Sequence, residues 1–114
     1  MLLITPEQRA LLVRNGEDPE FETLMEKPPL LKLFTPDAGG TWLISAIDPN
    51  DPDRAWGLCD PGLGSPELGW ISLSELAAVM GPLGLAVCRD EAFRPNASLR
   101  AYAAKAGCMG IIIT

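Results

Sequence analysis

Three β-forming runs follow one another at a spacing that leaves little choice of topology. TWLISAI (41–47), RAWGLCD (54–60) and ELGWI (67–71) are joined by DPNDPD and PGLGSP, six residues each. A parallel crossover needs a dozen residues or more, so these strands must pair antiparallel as a meander. Ser72-Leu73-Ser74-Glu75 follows the third run directly and reads as a capping box that starts a helix. TWLISAI is apolar on both faces, which predicts a central strand. In the next run Trp56 and Leu58 share one face, while Ala55, Gly57 and Cys59 on the other are small, as if a helix or backbone packs close there.

The flanking segments read outward from this block. Thr5-Pro6-Glu7-Gln8 predicts a helix start with an N-cap hydroxyl, proline in the first turn and a capping-box Gln. Leu11, Leu12 and Val13 would supply its apolar stripe and Asn15-Gly16 its end. The connection 16–29 is expected to wrap the surface with Phe21, Leu24 and Met25 tucked in. Leu30–Thr35 reads as a strand leading into the hairpin loop Thr35–Gly40. After the capping box, Leu76, Val79 and Met80 are expected to point inward, and Leu83–Val87 to form an edge strand. Asn96 or Ser98 should cap a last helix that carries Leu99, Tyr102, Ala103 and Ala106 inward and ends at Gly107. Gly110–Ile113 reads as either a strand or a sticky tail. The predicted fold is α+β: a small antiparallel sheet of three to five strands in meander order, covered on one face by about three helices, in a single domain over 1–114.

Composition excludes several chemistries. The chain has no histidine, which removes Ser-His-Asp and Cys-His constellations and the commonest general base. Cys59, Cys88 and Cys108 have no C-x-x-C spacing, so we expect buried structural thiols, no metal site, no cofactor and a reducing compartment. The run at Met1–Ile4 is too short for a secretory signal and no stretch reaches membrane-spanning length, which predicts a cytoplasmic protein without membrane contact. Net charge is −6, and residues 17–60 carry ten acids against three bases. Phosphate-backbone binding needs clustered Lys and Arg, so direct nucleic-acid binding is not expected. Acidity for solubility is the ordinary reading; the sharper one is an acidic face that meets a basic protein partner.

Motif by motif, geometry accounts for most of the remaining signals. Asp48, Asp51 and Asp53 crowd one turn, but aligned as a calcium loop Asp53 falls where glycine is needed and Cys59 where the bidentate acid belongs. Gly62-Leu-Gly64-Ser-Pro66-Glu67 lacks the Lys-Ser/Thr of a phosphate loop, and Pro66 removes an amide. Trp42, Trp56 and Trp70 recur every 14 residues, one per strand, a spacing that predicts a shared face, either as core or as an exposed aromatic strip. Asp60 and Glu67 flank the glycine-rich turn.

LFTPD, TWL, DP-x-DPD, GLCD-x-G-x-G-x-PELG, SL-x-EL, GPLGL and RD-x-x-F-x-P occur in that order between about Leu31 and Ala106. In these motifs the chain resembles the bacterial family named domain of unknown function 2958, small proteins carried on plasmids and other mobile elements. The resemblance brings no catalytic residues; it implies a mobile-element context, alongside anti-restriction and conjugation functions. The expectation is therefore a non-enzymatic protein-interaction module that uses Asp60, Glu67, Trp56, Trp70, Asp48, Asp51 and Asp53 to hold a basic partner, with anti-defence activity as a subsidiary idea. The alternative is a small-ligand domain or enzyme with its site near the turn 61–67, drawing on Asp60, Glu67, Arg89 or Asp90. A third reading is a homodimer joined through Ile111–Ile113.

Overall fold

The computed structural model describes residues 3–18 and 20–114, without the side chain of Phe21. Five strands, β1 (Leu31–Phe34), β2 (Thr41–Ile47), β3 (Arg54–Asp60), β4 (Glu67–Ser72) and β5 (Cys88–Arg89), form one sheet in the order β4-β3-β2-β1-β5, antiparallel throughout. Four helices accompany it: α1 (Pro6–Gly16), α2 (Phe21–Glu26), α3 (Leu73–Ala77) and α4 (Leu99–Met109). The predicted α+β meander is the observed one.

The helices, however, cover both faces instead of one. Residues 42–47 of β2 are all buried, so each face of this strand requires a cover. On one face α1 and α3 enclose a core containing Leu12, Leu33, Trp42, Ile44, Ile47 and Leu76. On the other, Leu43 and Leu58 pack with Leu99, Tyr102 and Ala106 of α4. Strict alternation would send residue 46 to the α1 face. The register with β3 slips at Ser45, between Ile44↔Gly57 and Ala46↔Trp56, and this bulge returns Ile47 to the α1 core. The Ser45 carbonyl accepts a hydrogen bond from Asn15 Nδ2 at 2.9 Å, so α1 is pinned at the bulge.

Two glycines lie close against neighbouring backbone. A Cβ on Gly16 would lie 1.9 Å from the Ile47 carbonyl oxygen, and one on Gly57 1.9 Å from that of Leu43. Of the helix or backbone that the small residues of β3 suggested, it is the backbone of β2 that lies close, at Gly57.

Several local expectations are corrected. The capping box of α1 forms in both directions, Thr5 Oγ1 accepting from the Gln8 amide at 3.1 Å and Gln8 Oε1 from the Thr5 amide at 3.0 Å. Yet Leu11 is exposed and only Leu12 is fully buried, because one turn faces the sheet with a single residue. Residues 21–26 form a helix where an irregular wrap was expected; Leu24 is buried and Met25 half-buried, while Phe21's side chain lies outside the described residues. Met80 and Val79 point outward, since α3 stops at Ala77 and the chain turns away. Leu83–Val87 does not join the sheet as a strand; Met80 and Ala86 bridge a small hairpin, and the edge strand is Cys88–Arg89 against β1. Ser98, not Asn96, caps α4, which runs through Gly107 to a left-handed Gly110 (φ 75°).

Replacing Gly57 by alanine forces a methyl group into the β2 backbone. We expect the variant to lose about 2–3 kcal/mol of stability, read as a lower urea midpoint with an unchanged slope.

Candidate functional site

The acidic turn between β2 and β3 is built as a fastener. Asp48 Oδ1 accepts from the Asn50 amide at 2.8 Å and Asp51 Oδ1 from the Asp53 amide at 3.1 Å, two short Asx turns that set the loop's path. Asp48 also faces Arg54 across 3.9 Å. Asp53 reaches across to the start of α3, accepting from Ser72 Oγ at 2.7 Å, the Ser74 amide at 2.7 Å and Ser74 Oγ at 3.1 Å. It thereby serves the free amides of a helix start together with Ser72, whose Oγ accepts from the Glu75 amide. The Ser72 hydroxyl, then the Ser74 amide, hold the Asp53 carboxyl below its ordinary value of 3.8.

Asp60 is 1% exposed. Its Oδ1 accepts from the Gly62 amide at 2.9 Å, closing the turn after β3, and its Oδ2 from the Ile112 amide at 3.3 Å. The C-terminal segment 110–113 is thus neither a strand nor a loose tail. It is strapped over the α4 face by a buried carboxylate, and Thr114 Oγ1 accepts from Lys32 Nζ at 2.8 Å further along. Glu67 lies opposite Cys59 in the β3–β4 register, and successive residues of a strand point to opposite faces. Asp60 and Glu67 therefore face opposite sides of the sheet and do not converge as a carboxylate pair.

The tryptophans divide as well. Trp56 and Trp70 are directly paired across β3 and β4, their rings edge to face with centroids 5.3 Å apart, and the Arg54 guanidinium sits 4.1 Å above Trp70. Trp42 pairs with Cys59 and is buried in the other core, so the three do not form one strip. The bulge at Ser45 accounts for this: 14 is even, but the extra residue in β2 changes the face on which Trp42 emerges.

The acids of residues 17–60 are likewise distributed among structural contacts. Glu22 and Glu26 both engage Arg100 of α4 at 2.5 Å, which raises the pKa of that guanidinium further. Asp37 Oδ2 accepts from the Leu83 amide at 2.6 Å, holding the hairpin 80–86 against the β1–β2 loop. Asp51 and Glu20 are exposed.

What the sequence did not single out is the end of the molecule where the loops meet. The hairpin 80–86 rests on Asp37, a Cβ on Gly62 would lie 3.4 Å from the Gly39 carbonyl carbon, and one on Gly110 would contact the Gly64 carbonyl oxygen. This end exposes Leu63 (84%), Leu83 (78%) and Met80 (66%). None of the segments 35–41, 59–69, 73–88 and 106–114 contains a basic residue. Beside it, two open cavities adjoin along β4 and share Cys59 and Trp70 in their walls. One, of about 260 Å³, is bounded by Trp42, Ile71, Glu75 and Val79; the other, of about 380 Å³, by Leu63, Ser65, Glu67 and Gly69. Burial, chiefly, and the neighbouring Asp60 and Glu67 push the Cys59 thiol up from its ordinary value of 9.0, against a hydrogen bond with Trp42 that acts the other way. Among the described residues, no group of His, Cys, Asp and Glu side chains is arranged to hold a metal ion. No helix among them is long and apolar enough to cross a membrane.

Residues 3–113 match the family described as protein of unknown function (DUF2958), and the chain belongs to that family. The match takes in α1 and nearly all of the C-terminal segment, beyond the 31–106 core that carries the motifs. No curated protein and no solved structure matches the chain significantly.

Two measurements follow. Asp53 has a folded pKa below its unfolded one, so its contribution to stability is present above the unfolded value and lost as pH falls through the folded value. Asp53→Ala is expected to flatten the fall in melting temperature from about pH 5 downward, while also melting earlier at neutral pH. In iodoacetamide labelling near neutrality, exposed Cys108 should react before Cys59; mass mapping of the labelled peptides checks the order.

Proposed function

We propose that this protein is a non-enzymatic protein-interaction module of a mobile genetic element, acting in the cytoplasm. The observation that carries the reading is the loop end. Leu63, Met80 and Leu83 are large apolar side chains left in water on short loops that are tied to the sheet by Asp37 and Asp60. Scattered single apolar residues need no explanation, but several on neighbouring loops, fixed by carboxylate–amide bonds, make a preorganised contact surface. The mobile-element context comes from the resemblance in motifs; a basic partner is favoured by the absence of Lys and Arg from the segments that build this end. Anti-defence activity is a subsidiary reading within the class, and neither a nucleic acid nor a membrane is proposed as partner.

A small-ligand site near 61–67 is the second reading, favoured by the cavity of about 380 Å³ against Leu63 and Glu67. It has one carboxylate at its wall, since Asp60 is occupied inside the fold.

The test is affinity capture from bacterial lysate at physiological salt with the native chain and with Leu83→Asp in parallel. Leu83 is 78% exposed, so its replacement should leave the melting temperature within a degree or two. The reading expects a protein retained by the native chain and lost by the variant. Identical capture by the two would remove the loop end from any interaction.

A further inference from the structure

We infer that the outer edge of β4, with the groove beside it, is a docking site for an extended segment of another protein that carries a lysine or arginine between apolar side chains. This rests on the protein-interaction reading and gives the partner's chemistry. β4 closes one side of the sheet, its inner edge bonded to β3 from Arg54↔Ser72 to Cys59↔Glu67. An edge strand offers a row of main-chain donors and acceptors that an incoming strand can continue. Folded proteins usually guard such an edge with lysine, proline or a bulge. β4 reads Glu67-Leu68-Gly69-Trp70-Ile71-Ser72, with none of these, and a Cβ at Gly69 would touch nothing within 4 Å. The face of the strand that carries Glu67 and Ile71 is therefore open at its middle, with no side chain overhanging the main chain there.

The surroundings specify the rest of the segment. The cavities that adjoin at Cys59 and Trp70 present mostly apolar walls, and the residues lining them include no base. Glu67 stands at one cavity and Glu75 at the other. Both are exposed, and neither side chain is engaged in an ion pair with Arg or Lys among the described residues. Alternate side chains of an added strand fall on one face, so a segment with apolar residues over Trp42, Ile71 and Val79 and a cation within reach of either glutamate meets the surface it finds. A second copy of this chain is a poorer occupant, because β4 would bring Glu67 but no base to the pairing. An acidic segment would meet two like charges.

The experiment is selection of displayed random dodecapeptides on the full native chain, followed by amide NMR titration with the synthetic form of the enriched sequence. The inference expects enriched peptides with Lys or Arg flanked by apolar residues, and shifts concentrated at Glu67–Ser72 and at residues bordering the groove. Glu67→Lys and Glu75→Lys, each checked for an unchanged melting temperature, should weaken the peptide about tenfold when combined. They should also gain affinity for the same peptide with its bases changed to glutamate. Selection without enrichment of basic residues, no selected binder, shifts centred elsewhere, or affinity indifferent to both glutamates each overturns the inference. Concentration-dependent shifts of β4 without peptide would overturn it in favour of self-association. Lysate capture that depends on Leu83 but not on Glu67 or Glu75 would leave the interaction module standing and remove only this groove.

Discussion

Burial of β2 on both faces is the constraint from which the rest of this structure follows. Leu43 enters one core, Trp42, Ile44 and Ile47 the other, and none of them reaches solvent to any extent. A buried leucine or isoleucine contributes about 1.5–3 kcal/mol relative to an exposed one, so leaving either face bare would cost much of a small domain's stability. The chain meets this with its ends. α1 precedes the sheet and covers one face; α4 follows it and covers the other, with α2 alongside. The bulge at Ser45 is part of the same solution, because it lets the strand keep large residues on the α1 face at both ends while Asn15 satisfies the carbonyl that the bulge frees.

Carboxylates are the second organising element, and they act mainly as fasteners. Asp37 holds the hairpin 80–86, Asp53 the start of α3, and Asp60 both the glycine-rich turn and the C-terminal segment. A carboxylate accepting from backbone amides makes charge-assisted bonds that also fix direction, which suits a protein with short helices and many turns. Asp53 works at one end of the sheet, where β2 turns into β3 and β4 runs into α3, while Asp37 and Asp60 tie loops that are far apart in sequence into the opposite end of the molecule. Apolar residues on that end then stand in defined positions, a requirement for any surface that binds without a large ordering cost. The acidic composition thus has an internal explanation at these three positions before an external one, and Glu67 and Glu75, exposed acids outside the ion pairs of the described residues, lie beside β4.

Much of this was legible in the residues. The six-residue connections and the apolar character of TWLISAI prescribe the meander and its central strand, and the caps at Thr5 and Ser72 mark helix starts because capping is a local hydrogen bond; between Asn96 and Ser98 the structure chose Ser98. Asp60 and Glu67 illustrate the opposite case. They flank one turn and suggest a converging pair, yet strand alternation places them on opposite faces, and only the register of β3 against β4 reveals it. Trp42 was separated from Trp56 and Trp70 by a one-residue bulge that no local pattern announces. Leu83–Val87 has the composition of a strand but lies where Asp37 captures it as a hairpin, a contact across 46 residues.

The sequence by itself therefore determined the α+β class, the strand order of the meander, the caps at Thr5 and Ser72 and the family, since each depends on short-range geometry or on motif order. Tertiary structure decided which face each helix covers, which acids are interior fasteners and which remain outside, and that the loops 36–40, 61–66 and 80–86 share one apolar end. The physical reason is that burial and long-range hydrogen bonding are properties of an arrangement: the same aspartate is a solvated charge in one packing and a buried staple in another.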